Sequence, residues 1–194
     1  MYVLCLCISH SCYLFLPSIK ILWANRFRED IGNVCLVSVD GTDFRIYNWK
    51  PFWTGWYLHK FKGPGVRYEV GLCIRTGDIV WINGPFPCGR YPDITIFRRD
   101  MKHALDDGEK VEADKGYRGE GQYVNTPVEG SHIQARVRAR HETLNKHLKQ
   151  WSCLSRVFRH EIKRHQVVFG AVAVITQLAL ENEEPLYDVN EYCD

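Results

Sequence analysis

"CLVSVDGTDFRI", residues 35–46, decides how the chain folds. Four of its first five residues are apolar, as in a buried strand, and the run then meets Asp40 followed at once by Gly41. An Asp-Gly pair is a turn signal, because the Asp bonds its own backbone and Gly tolerates the bend. That reading gives one strand over Val34–Val39 and a second over Thr42–Tyr47, joined through Asp40-Gly41. The other reading has a core strand delivering a carboxylate to a site, which requires further carboxylates beside it.

Working outward, strand-like runs continue at Val66–Ile74 and Ile79–Asn83, separated by the turn signal "TGD" at Thr76–Asp78. The turn-rich "NGPFPCGRYPD" leads into a helix starting near Asp93, which is placed to cap it. Ile94, Phe97, Met101 and Leu105 recur there at helical spacing. A short strand over Lys110–Ala113 ends on Asp114, before "KGYRGEG". From Gln134 the pattern is helical, with Val137, His141, Leu144, Leu148 and Trp151 forming one packed stripe. A last helix is predicted over Ser155–Glu181. It contains the apolar run "VVFGAVAVITQLAL", shorter than the roughly 20 residues a bilayer span needs, so it reads as a buried core helix and the chain as having no membrane anchor.

The 194 residues suit one domain, or one domain plus an appendage. Residues 1–30 read as an N-terminal leader or connector, and 31–190 as the folded domain. The apolar start "MYVLCLCISHSCYLFL" lacks the basic region and cleavage site of a signal peptide. Cys5, Cys7 and Cys12 have no nearby His and form a weak metal pattern, while Cys35 and Cys73 read as small core residues. The net charge is only +2, but nine Lys or Arg lie between Arg136 and Arg164 against Glu142 and Glu161, and the tail from Glu181 has acids and no base. The basic segment fits either a face for polyanions or a solvated helix surface.

If the strands ending at Asp40 and Asp114 are neighbours, their carboxylates emerge together, and the helix can bring Glu142 to them. Glu142 lies about 100° from His141 around that helix, on the face of Arg138, Asn145, Lys146 and Lys149. Gathered carboxylates raise one another's pKa unless a cation is present. Mg²⁺ or Mn²⁺ prefers such hard oxygen ligands, and a pair of ions ~4 Å apart supports in-line phosphodiester displacement. Two turn aspartates and a surface glutamate are the other account of the same residues.

"VSVDGTDFRI", "TGDIVWINGPFPCGRYPDITIFR", "EADKGYRG" and "RARHETLNKHLKQW" together resemble the DDE superfamily endonuclease domain of PIF/Harbinger-type transposases, across roughly residues 23–190 and in family order. The resemblance implies an RNase H-like α/β fold with a mixed five-stranded sheet flanked by helices. It implies a nuclear enzyme that cuts and joins DNA with Mg²⁺ or Mn²⁺ held by Asp40, Asp114 and Glu142. Its partners would be transposon ends and target DNA, a separate Myb-like DNA-binding protein, and a second copy in a homodimer. The residues before Asp40 do not read as the helix-turn-helix segment such proteins usually carry. A non-catalytic domesticated or truncated remnant that binds DNA or protein is therefore the alternative.

Among the remaining candidates, Lys115 and Arg118 beside Asp114 suit phosphate contacts or a solvated turn, and Asp93 suits an approach to the ions, although the helix cap is already a sufficient explanation of it. The aromatic-basic loop Trp49–Lys62, with Trp53, Trp56 and Tyr57, fits stacking on unpaired bases or covering core. His141 on the packed stripe reads as a satisfied core histidine. His160 and His165, five apart, make a poor helical metal pair and are assigned to the basic face.

Overall fold

The computed structural model describes residues 20–27, 35–48, 50–126 and 132–182, with side chains from residue 134 onward in the last segment. The apolar start, Cys5, Cys7, Cys12, Trp49 and nearly all of the acidic tail lie outside the described residues.

Strand β1 spans Cys35–Arg45 without a break, so Asp40-Gly41 is not a turn. Asp40 pairs with Val70 and Gly41 with Glu69 in antiparallel register with β3 (Gly63–Cys73). The two predicted strands are therefore one. The gain comes from continuity, since both halves add their apolar residues to the same central strand.

Strand β4 (Ile79–Pro87) pairs only with β3 and runs past the predicted end at Asn83. As an edge strand it tolerates Pro85 and Pro87, whose missing N–H groups cost no ladder bond on the open side. β2 (Tyr57–Leu58) pairs with Gly63 and Pro64, inside the segment predicted as loop. β5 (Lys110–Ala113) lies parallel to β1, and β6 (Val124–Asn125) lies parallel to β5. The sheet is mixed and six-stranded, not five-stranded: two predicted strands merge, and β2 and β6 are added. Its spatial order is β4-β3-β1-β5-β6, with β2 on the first residues of β3.

Period-2 alternation sends β1 side chains to two cores. Val37, Val39 and Val111 pack with Phe97, Met101 and Tyr117 under helix α1 (Asp93–Arg99). On the other face, Phe44, Tyr68, Val70 and Leu72 meet Leu144 and Leu148 of α2 (His132–Lys149) and Phe169 of α4 (Ile162–Asn182). Tyr68 stacks on Phe169 with ring centroids 3.8 Å apart, and Phe44 meets both edge-on. Aromatic contacts of this kind contribute about 0.5–1.5 kcal/mol each beyond area burial.

The α2 stripe holds for Val137, His141, Leu144 and Leu148, all buried. Trp151 departs from it because the helix ends at Lys149, leaving the indole 38% exposed. The last predicted helix is broken. A short turn, α3 (Ser152–Ser155), is followed by an extended piece in which Phe158 bridges to Ile46, and α4 starts only at Ile162. Its apolar run is largely buried, as expected, and no helix among the described residues is long and apolar enough to cross a membrane. Helix α1 stops at Arg99 and continues as a 3-10 turn over Met101–His103, which still buries Met101.

Candidate active site

Parallel pairing of β1 with β5 ends at Val39 opposite Ala113. Asp40 and Asp114 are the next residues on each strand. By the alternation of side chains they share a face with Ser38 and Glu112, the face that α2 covers. Helix α2 is fixed there by His141, whose Nε2 lies 2.9 Å from Ser38 Oγ. Burial pushes the His141 imidazole down to about 4, so the ring stays neutral. It is the satisfied core histidine the stripe predicted.

Together these elements line a pocket of ≈ 220 Å³ whose walls include Ser38, Asp40, Glu112, Asp114, Arg138, His141 and Glu142. All three predicted acids thus face one cavity. Asp114 and Glu142 are exposed and Asp40 is half-buried. The sequence pattern missed Glu112, a buried acid on the same face of β5 that accepts a hydrogen bond from Gln134 Nε2 at 3.2 Å.

Both aspartates also keep local bonds. The Gly41 N–H donates to Asp40 Oδ1 at 2.8 Å, and the Gly116 N–H donates to Asp114 Oδ1 at 2.6 Å. The second bond caps the 3-10 turn Lys115–Tyr117, so the turn account of Asp114 is correct as far as it goes.

Asp93 is the acid whose role differs most from the expectation. Pro92, not Asp93, is the N-cap of α1, and no side chain caps it. Asp93 instead reaches back to the sheet. Its Oδ1 is buried, lies 3.2 Å from Arg67 Nη1 without hydrogen-bond geometry, and sits where a side chain on Gly41 would be. A Cβ added to Gly41 would stand 2.0 Å from Asp93 Oδ1, and one on Gly116 3.4 Å from Asp93 Oδ2. Gly41 therefore makes room for Asp93, whereas Gly116 makes room first for Asp114 Oδ1, 2.8 Å from where its Cβ would be. Arg67 holds the arrangement from behind, donating to Asp43 at 2.7 and 3.1 Å and to the Tyr91 carbonyl at 3.4 Å.

The electrostatics follow. Burial pushes the Asp40 carboxyl up to about 7, and the charges of Asp114 and Asp93 push the same way. Asp93 is raised too, first by burial, with Arg67 pulling it back. Asp40, Asp114 and Asp93 form an anionic centre only partly neutralised by protein groups. Hard carboxylate oxygens under mutual repulsion are the donor chemistry of Mg²⁺ or Mn²⁺, so the residues fit such an ion in charge and ligand type. They do not form a finished cage: no group of three ligand side chains among the described residues is close enough to hold a metal ion as it stands.

Of the predicted phosphate-contacting residues, Arg138 lines the pocket. Lys115, Arg118 and Lys146 are exposed and Asn145 is half-buried, and none of the four lines it. Lys149 is half-buried with its Nζ 5.3 Å from the Phe44 ring centre. Burial lowers its pKa, with Lys60 adding to the effect. His165 is not part of a basic face. It is fully buried, with Nδ1 2.8 Å from the Tyr68 hydroxyl, and burial pushes it down to about 4.

No family model, curated protein or solved structure matches this chain. What the geometry defines is a class of site: acids from two adjacent parallel strands and a covering helix, converging on one open pocket.

Proposed function

We propose that the chain carries out metal-dependent phosphoryl transfer on a nucleic acid. More specifically, we read it as a DDE-type endonuclease and strand-transferase domain of transposon origin, acting on DNA in the nucleus. The observation that carries this is the β1–β5 register, which makes Asp40 and Asp114 successive emergent residues on the face where α2 supplies Glu142. The order β4-β3-β1-β5-β6, with β1 antiparallel to β3 and parallel to β5, is the arrangement an RNase H-like domain calls for, and supports that assignment for residues 31–190.

Asp40, Asp114 and Glu142 would hold Mg²⁺ or Mn²⁺. When bound, the ion supplies Lewis-acid activation of the attacking and leaving oxygens. The chain's own residues do the rest. Asp40 is fixed by the central strand and Asp114 by its capping bond, so neither must be ordered when substrate arrives. Arg138, on the pocket wall, offers a guanidinium to a phosphate oxygen. Asp93 and Arg67 set the spacing between β1 and the Asp114 turn. In the reaction, water attacks a phosphodiester and the freed 3′-hydroxyl then attacks a second one, with no covalent protein intermediate.

The test is nicking of supercoiled DNA by purified protein with Mg²⁺ or Mn²⁺. Asp40→Ala, Asp114→Ala and Glu142→Gln should each lower the rate about 100-fold or more, the scale of several kcal/mol of lost charge stabilisation. Activity that survives all three changes sinks the assignment. Parallel DNA, RNA and hybrid substrates decide the polymer cleaved.

A second reading, a non-catalytic remnant that binds DNA or protein, is favoured by one observation: the acids are not gathered into a ready ligand cage. DNA binding without cleavage and without Mn²⁺ affinity is the outcome it requires.

A further inference from the structure

An exposed aromatic surface, separate from the residues that line the acid pocket, is left unused by the cleavage reading. Phe52, Trp53 and Tyr57 expose 38%, 45% and 36% of their area, although large aromatics ordinarily cover core. They stand on a rigid base. Trp53 packs against Gly55, where an added Cβ would lie 2.4 Å from its ring, and meets Trp56 edge-on at 6.0 Å. Gly89 lets the chain pass under this loop, with the carbonyls of Tyr57, Thr54 and Gly55 within 3.0 Å of where its Cβ would be. Arg90 then bonds Gly55 O through its N–H at 3.0 Å and brings its guanidinium to 5.8 Å from the Trp53 ring centre.

The base is joined to Asp93 along the chain. Arg90 precedes Asp93 by three residues, which span at most about 11 Å, the length of about three stacked nucleotides at ~3.4 Å each. The loop's other end carries Lys60 and Lys62, and Lys60 is close enough to Lys149 to depress it.

We propose that the Trp53–Tyr57 shelf, with Arg90, Lys60 and Lys149, binds an unpaired polynucleotide strand and feeds it to the Asp40/Asp114 pocket. The choice of a nucleic acid as occupant rests on the phosphoryl-transfer reading. The surface supports the unpaired form: partly exposed aromatic rings stack on bases of any sequence, and the flanking cations follow the backbone. A duplex presents phosphates but no free base faces, so it gains the charge and not the stacking.

The experiment is fluorescence anisotropy with a labelled oligothymidylate of about ten nucleotides and a duplex of the same length, a span one such surface covers. Wild type should bind the single strand more tightly. Trp53→Ala should weaken that binding about fivefold or more, and Trp53→Phe should restore it to within about twofold, while duplex affinity stays within twofold. Arg90→Gln, which leaves the exposed ring in place, should weaken the single strand in the same direction. Unchanged single-strand affinity in both Trp53→Ala and Arg90→Gln overturns the proposal. So does an equal loss for the duplex, or a wild type that binds neither oligonucleotide, which would assign the shelf to a protein partner. Asp40→Asn keeps the outcomes separate. Trp53-dependent binding with no cleavage by wild type removes the nuclease reading and keeps the shelf. Cleavage that Asp40→Asn abolishes, with no dependence of binding on Trp53, does the reverse.

Discussion

Gly41 leaves open the position that Asp93 fills: a Cβ on Gly41 would stand 2.0 Å from Asp93 Oδ1. The two residues are far apart in sequence, and neither makes sense locally. Gly41 sits inside an extended strand, where glycine weakens the ladder. Asp93 starts a helix without capping it. Their contact explains both, and it ties α1 to the sheet beside the acid pocket.

Gly41→Ala should therefore destabilise the fold by about 1–3 kcal/mol, the cost of an extra methyl in a filled site. Removing the obstacle should recover much of this. In Gly41→Ala/Asp93→Ala, urea unfolding should show a coupling of about 0.5–3 kcal/mol relative to the two single changes. Strict additivity would mean that the two residues do not touch.

Arg67 lies between two acids, bonded to Asp43 and ion-paired with Asp93, and is nearly buried. Arg67→Met should cost about 3–5 kcal/mol, because it leaves two carboxylates without their cation in a poorly solvated place. Arg67→Met/Asp43→Asn should be less destabilised than Arg67→Met alone, as read by denaturant midpoint at constant m-value.

Asp40 should show the opposite of an ordinary salt-bridged acid. Its folded pKa of about 7 lies above the unfolded value, so the folded state holds the proton more tightly. Its contribution is full at pH below about 4 and is lost as pH rises through about 7. Asp40→Asn, which keeps the shape and removes the charge, should raise stability by about 2 kcal/mol near pH 8 and change little near pH 4, after allowance for the half-exposed setting. Equal effects at both pH values would contradict this.

His165 titrates with the reverse sign. Burial holds it neutral with a pKa of about 4. The unfolded imidazole takes up its proton near pH 6.5, so stability present above that pH is lost as pH falls toward 4. The loss is about 3 kcal/mol at 1.36 kcal/mol per pKa unit. Urea melts at about pH 7 and 4.5 should show a smaller drop in His165→Gln than in wild type, with His141 contributing equally to both.

What the residues disclosed follows a physical line. β5 and the α2 stripe were readable because short-range apolar periodicity and the acid ending the strand are local properties. The turn signals at Thr76–Asp78 were readable for the same reason: the Asp78 N–H donates to Thr76 Oγ1, and the Thr76 hydroxyl donates to Asp78 Oδ2. Asp40-Gly41 was ambiguous because its glycine answers to Asp93, and sequence spacing does not register a contact of that range. Asp93 read as a cap because its position suits one, and only Arg67 and Gly41 reveal its other role. Phe158 joined the sheet by a single bridge to Ile46, a tertiary pairing that breaks the continuous helix its neighbours favour. The site itself was half visible: Asp40, Asp114 and Glu142 came from the pattern, while Glu112 and Asp93 needed the packed faces.

The central claim is that Asp40, Asp114 and Glu142 form a divalent-ion site. Calorimetric titration of Mn²⁺ into the wild-type chain tests it most directly, beside Asp40→Asn, Asp114→Asn and Glu142→Gln. The account predicts saturable binding by wild type, weakened at least about tenfold by each substitution. Absence of binding by wild type, or the same affinity in all four proteins, would contradict it.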